Sequence, residues 1–93
     1  MTMKEILKEP STKIVDVRTV QEFEMGHLEN AINIPLDQIP ASIETLKNFN
    51  APAIVFYCRS GNRSGQAVGY LRQSGFEHVY NGVSLEDMTY LLN

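Results

Sequence analysis

The stretch AIVFYCRSGNRSGQAVGYLRQSG, residues 53–75, carries the reading of the fold. Its first five residues, 53–57, are almost wholly apolar, as a central parallel strand buried on both faces should be. Further on, Ala67, Val68 and Leu71 recur at helical spacing, and Gly75 provides the stop. Between strand and helix lies the loop RSGNRS, 59–64, and just before it the only cysteine of the chain, Cys58.

The flanking sequence repeats the alternation of apolar clusters and helical patterns, which predicts an α/β domain with a mainly parallel sheet. MKEILK after Thr2 is a short helix stopped before Pro10. KIVDV, 13–17, is a buried strand. In TVQEFEMG, 19–26, Thr19 and Glu22 have capping-box spacing and Gly26 suits the left-handed position after a helix, so one or two helical turns are expected. AINI, 31–34, is a short strand ended by Pro35. Ile39, Ile43 and Leu46 share one helical face in LDQIPASIETLKNF, 36–49, with the helix starting at Asp37 or just before Pro40. HVYN, 78–81, is the last strand. SLEDMTYLL, 84–92, is a closing helix capped by Ser84, with Leu85, Met88, Leu91 and Leu92 toward the core.

With 93 residues and 43% hydrophobic composition, the chain is expected to form a single domain over 1–93, near the small end of what one core stabilises. One cysteine cannot form an internal disulfide, and no apolar run is long enough for a signal segment or a membrane span, so a cytoplasmic location is expected. The net charge of -3 is mild and the basic residues are scattered apart from Arg59 and Arg63, which gives no support to a nucleic-acid surface. His27, His78 and Cys58 lack zinc-ligand spacing, and neither a metal nor a cofactor is expected.

The loop after Cys58 explains the position of the thiol. If the strand reading holds, Cys58 sits at the carboxyl edge of the sheet, where ligands bind in open parallel sheets. Gly61 tolerates positive φ and Asn62 often does, while Ser60 and Ser64 add hydroxyls, so the backbone amides can turn inward and make an anion site. The helix N-terminus and the charges of Arg59 and Arg63 act in the same direction, and all favour thiolate over thiol. Cys58 and Arg63 have four residues between them, whereas protein tyrosine phosphatases need five to wrap a phosphoryl group. The tighter ring suits a single sulfur atom, so the anion expected there is a persulfide, formed when the thiolate takes the outer sulfur of a donor such as thiosulfate.

A second dense cluster, DVRTVQEFEMGHLENAINIP, spans residues 16–35. Asp16 and Arg18 flank the end of a strand on the same edge as Cys58. Asp16 either braces an arginine or the amides of the loop, or makes a local strand-end turn. His27 reads as a partner for helix-end or loop backbone groups rather than as the base of a Cys-His pair.

These two segments together resemble the rhodanese family. Asp-Val-Arg, Glu-Phe, Gly-His and Ala-x-Asn-Ile-Pro are all matched in 16–35, and YCRSGNRS resembles the active-site loop of single-domain sulfurtransferases. The resemblance runs from about Met3 to the end. It implies a four- or five-stranded parallel sheet with helices on both faces, Cys58 as sulfur acceptor and the amides from Arg59 to Ser64 as its cradle. It also implies that Asp16, Arg18 and His27 support the site without acting as acids or bases. Two departures stand out: the Gly-Gly near the C-terminus appears as Gly82-Val83, and the tryptophan commonly found after it is missing. The expected partners are a small anionic sulfur donor and an external thiol or protein cysteine as acceptor. A sulfur carrier, a non-catalytic binding module and, less favoured by the loop length, a phosphatase or arsenate reductase are the alternatives.

Overall fold

A computed structural model describes residues 1–93. Along the chain run α1 (Met3–Lys8), β1 (Lys13–Asp16), α2 (Val20–Glu24), β2 (Ala31–Asn33), α3 (Ile43–Asn48), β3 (Ile54–Cys58), α4 (Asn62–Gln73), β4 (Val79–Ser84) and α5 (Leu85–Leu92). The four strands form one sheet in the order β2-β1-β3-β4, and every neighbouring pair is parallel.

Strand β3 is central in position and in packing. All five of its residues are buried, and their alternation divides the core in two. Ile54, Phe56 and Cys58 pack with Val15, Leu46 and the α4 residues Ala67, Val68 and Leu71 on one face. Val55 and Tyr57 pack with Ile6 and Leu7 of α1 and Met88 of α5 on the other. Each such side chain removed from water contributes roughly 1.5–3 kcal/mol, so the strand is held from both sides and its carboxyl end has little freedom to move.

Local signals set most helix starts. Thr2 with Glu5 and Thr19 with Glu22 form reciprocal capping boxes, and the Ser84 hydroxyl accepts the Asp87 amide at 2.9 Å. Four elements differ from the sequence expectation. The segment before α3 is two 3-10 turns, Leu36–Gln38 and Pro40–Ser42, and the α-helix begins only at Ile43. Pro40 has no amide to give, and the Ser42 hydroxyl takes the Gln38 carbonyl at 2.8 Å, so the i to i+4 ladder cannot start earlier. Helix α4 begins at Asn62, which makes Asn62, Arg63 and Ser64 its first turn and leaves Arg59, Ser60 and Gly61 as the loop. In α5, Met88 is buried but Leu92 is exposed.

The fourth difference is at β4, which extends past Asn81 to Ser84 through a register shift: Phe56 faces Asn81, but Tyr57 faces Val83. Gly82 takes up the extra residue, and a Cβ there would collide with Met88 Sδ and lie 2.9 Å from Val55 Cγ1. Val83 then adopts φ 78°, the left-handed region, which is strained for a β-branched residue. The second position of the Gly82-Val83 departure is therefore one that a glycine would occupy without strain. Adjacent substitutions should have opposite signs. Gly82→Ala should destabilise by about 1–3 kcal/mol through overpacking, whereas Val83→Gly should stabilise by about 1 kcal/mol by relieving the backbone. Thermal unfolding of both variants checks this, and no rise for Val83→Gly would mean that the contact of Val83 with Gly61 outweighs the strain.

Candidate functional site

Cys58 is the last residue of β3, and its side chain has no exposed surface. The chain leaves the sheet through Gly61, whose φ of 95° only glycine adopts readily. An added Cβ would also lie 2.8 Å from Val83 Cγ1, so the position is closed to other residues by space as well. The turn aims the Gly61 amide at Cys58 Sγ, 3.0 Å away. Four residues on, the Gly65 amide donates to the Gly61 carbonyl at 2.9 Å and α4 has begun. Ser64 in that first turn supplies a second amide at 3.5 Å from the sulfur and a hydroxyl at 3.4 Å.

Two influences on the thiol oppose one another. Burial is the largest and disfavours the charged form. The Ser64 hydroxyl and amide, with the amides of Ser60 and Gly61, together outweigh it and hold the Cys58 pKa below the ordinary thiol value. The expected cradle of amides from Arg59 to Ser64 is thus narrower than predicted: Ser60, Gly61 and Ser64 act on the sulfur, while the amides of Arg59, Asn62 and Arg63 make no bond to it.

The arginines have different tasks. Arg63 does not hydrogen-bond the sulfur; its guanidinium makes a two-pronged ion pair with Glu22 of α2, at 2.7 and 3.0 Å. Arg63, with the amide and the hydroxyl of Thr19, pushes the Glu22 pKa down to about 2. Arg59 is exposed and lines an open groove of about 600 Å³ with Arg18, Glu22, Met25, Leu85 and Glu86. Asn62 uses its side chain to accept from Gln66 at 2.8 Å, on the exposed side of α4.

Asp16, expected either to brace the loop or to make a local turn, does the latter. Its carboxylate accepts the Arg18 amide at 2.8 Å and the Arg18 guanidinium at 2.7–3.0 Å, with no bond to the loop. Both residues are buried. Arg18 reaches on to the Gly26 carbonyl at 2.7 Å and lies over the Tyr57 ring, while the Tyr57 hydroxyl accepts the Leu28 amide at 3.1 Å. Burial raises the Tyr57 pKa to about 12, so this hydroxyl stays protonated and fixed. His27 bonds through Nδ1 to the Phe23 carbonyl at 2.8 Å and stacks on the Phe23 ring, the helix-end role expected of it.

Sequence reasoning missed two residues. Glu22 was visible only as the partner of Thr19, since its pairing with Arg63 spans 41 positions. Asn81 of β4 donates from Nδ2 to the Gly61 carbonyl at 3.1 Å and accepts the Ser64 hydroxyl at 2.7 Å, which ties the loop to the neighbouring strand. No local pattern marks it.

Residues 2–82 match the Rhodanese-like domain family. The tRNA uridine(34) hydroxylases of Hamiltonella defensa subsp. Acyrthosiphon pisum and Yersinia pestis are 37% and 36% identical over 83 residues, which make up 85% of this chain and 23% of those proteins. The chain therefore spans about a quarter of the length of these curated relatives. Among solved structures, a rhodanese with anions from E. coli is similar with TM-score 0.75 and 34% identity over 82% of this chain and 89% of that one. A Staphylococcus saprophyticus protein is similar with TM-score 0.75 and 34% identity, over 90% and 82% of the two chains. The parallel α/β sheet, the cysteine at its carboxyl edge and these similarities agree, and the chain belongs to the rhodanese-like domain family.

Proposed function

We propose that the domain transfers sulfane sulfur through a persulfide on Cys58. The observation that carries this reading is the cage around Sγ: Gly61 and Ser64 direct amides at the sulfur of a buried cysteine whose pKa is lowered. In the first step the thiolate attacks the outer sulfur of thiosulfate, a sulfur–sulfur bond forms to Cys58, and the bond within the donor breaks with its electron pair leaving on sulfite. In the second step a nucleophile attacks the outer sulfur of the persulfide and the thiolate is regenerated, so ping-pong kinetics follow. There is no second cysteine in the chain. The acceptor comes from outside, as cyanide in an assay and as a small thiol or a protein cysteine in the cell. The curated relatives are named for a reaction on tRNA, as proteins of which this chain spans 23%. The scattered basic residues of this domain favour a small anionic donor over a nucleic acid.

No helix is long and apolar enough to cross a membrane. A free nucleophilic thiol fits a reducing compartment, and the reading places the domain in the cytoplasm.

Arg59 is the residue we assign to attracting the donor. Arg63 and Arg18 are already paired with carboxylates, whereas Arg59 is exposed at the groove beside the loop with no ion-pair partner. Arg63 instead fastens the first turn of α4 to α2. That link depends on pH. The folded pKa of Glu22 is depressed from 4.5 to about 2, so its contribution is complete above the unfolded pKa and is lost as pH falls through the folded one.

Three measurements test these assignments. Intact mass under non-reducing conditions should show the gain of one sulfur atom after thiosulfate treatment. Cyanide should remove it, and Cys58→Ser should not acquire it; if thiosulfate and a desulfurase donor both leave the mass unchanged, the catalytic reading fails. Arg59→Ala should raise the KM for thiosulfate several-fold, by about one exposed charge contact, with a smaller effect on the cyanide half-reaction, and an unchanged KM removes Arg59 from donor binding. Urea midpoints followed from pH 7 to pH 2 should fall below about pH 4.5 as Glu22 protonates. Glu22→Gln should flatten that fall, at a cost near neutral pH of about 1 kcal/mol or less because solvent screens the part-exposed pair.

A further inference from the structure

The side chain of Asn81 has only one orientation compatible with its surroundings. The Val83 amide donates to one end of the carboxamide at 2.9 Å, so that end is Oδ1; the other end donates to the Gly61 carbonyl at 3.1 Å, so that end is Nδ2. Oδ1 can only accept. The Ser64 hydroxyl, 2.7 Å from it, must therefore be the donor in that contact. Ser64 has a single hydroxyl proton, and its oxygen also lies 3.4 Å from Cys58 Sγ and, at the limit of hydrogen-bond reach, 3.5 Å from the Val83 carbonyl. With the proton directed at Asn81, the Ser64 oxygen turns lone pairs toward the sulfur, which suits a thiol S–H as donor. It does not suit a thiolate, which accepts only.

We propose that Asn81 is a positioning residue for Cys58: its carboxamide oxygen holds the Ser64 hydroxyl proton while the cysteine is a thiol and releases it to the sulfur when the cysteine ionises. The thiol proton passes to solvent and the Ser64 O–H bond stays intact; only its direction changes. Asn81 Oδ1 keeps the Val83 amide in either state, so it is never left without a donor. Asn81 and the thiolate thus compete for one hydrogen bond, and Asn81 acts to keep the cysteine protonated. This balances the amides, which act to ionise it. The inference takes Cys58 as the reacting group, as the sulfur-transfer reading does, but its test reads the thiol itself and is independent of any donor.

Other charged groups surround the loop: Arg59 on it, Arg63 with Glu22 of α2, Asp16 and Arg18 at the end of β1, and Glu86 and Asp87 at the start of α5, with the buried Tyr57 hydroxyl on β3. A comparison made with and without Ser64 subtracts their shared contribution.

The pH dependence of alkylation reports Cys58 alone, because it is the only cysteine. Asn81→Ala should lower the thiol pKa by about 0.5–1 unit, the equivalent of one released hydrogen bond. Ser64→Ala should raise it, and adding Asn81→Ala to Ser64→Ala should produce no lowering. A merely structural role gives the opposite sign, since loss of the Asn81 bond to Gly61 would loosen the amide cage and raise the pKa. A raised or unchanged pKa in Asn81→Ala, or an equal lowering in the Ser64→Ala background, overturns the proposal. If Asn81→Ala does not fold, NMR of the wild-type chain decides. The Asn81 carboxamide carbon should titrate together with Cys58 and lose that step in Cys58→Ser, and a carboxamide that ignores the thiol titration also overturns it.

Discussion

A sulfur atom with no exposed surface can carry a charge only if the protein replaces the water it has lost. That constraint organises the molecule around Cys58. The replacement consists of amides from Gly61 and Ser64, with that of Ser60 adding to the effect, and they converge only because the chain turns sharply at Gly61 and starts a helix at the next residue. Such a turn is held in place from outside. On one side Val83 closes against Gly61, and on another Asn81 grips the Gly61 carbonyl. Both belong to β4, the strand hydrogen-bonded to β3, so the cage is built by the sheet as much as by the loop.

The bulge in β4 is part of the same arrangement. The extra residue at Gly82 brings Asn81 and Val83 into contact with the loop, at the expense of a strained Val83 backbone and a glycine pressed between Met88 and Val55. Strain of this kind persists where the surrounding packing over-determines it. The fully buried strand β3 provides that packing from both faces of the sheet.

Of the three arginines near the loop, Arg18, Arg59 and Arg63, only Arg59 has no carboxylate partner. Asp16 occupies Arg18, whose guanidinium then ties the end of β1 to the turn at Gly26, and Glu22 occupies Arg63, joining two helix N-termini. Each paired cation stiffens the rim of the groove and is unavailable to a ligand. Arg59 lines the groove without an ion-pair partner, while the sulfur of Cys58 lies buried.

Much of this was legible in the sequence because it depends on neighbours. The capping box at Thr19, the Ser84 cap, the apolar run 53–57 and the positive φ of Gly61 are decided within a few residues, and the ordered pair of motifs at 16–35 and 57–64 pointed to the family. Where a local signal had a competitor nearby, the reading failed: Pro40 and the Ser42 hydroxyl delayed α3, and Asn62 entered the helix rather than the loop. The sequence by itself determined the strand, the turn and the helix that present the thiol. The tertiary structure alone decided that Arg63 belongs to Glu22 across 41 positions and that Asn81 accepts the hydroxyl proton of Ser64. Those pairings depend on which strands lie side by side and where a bulge shifts their register, and neither leaves a periodic trace in the residues concerned.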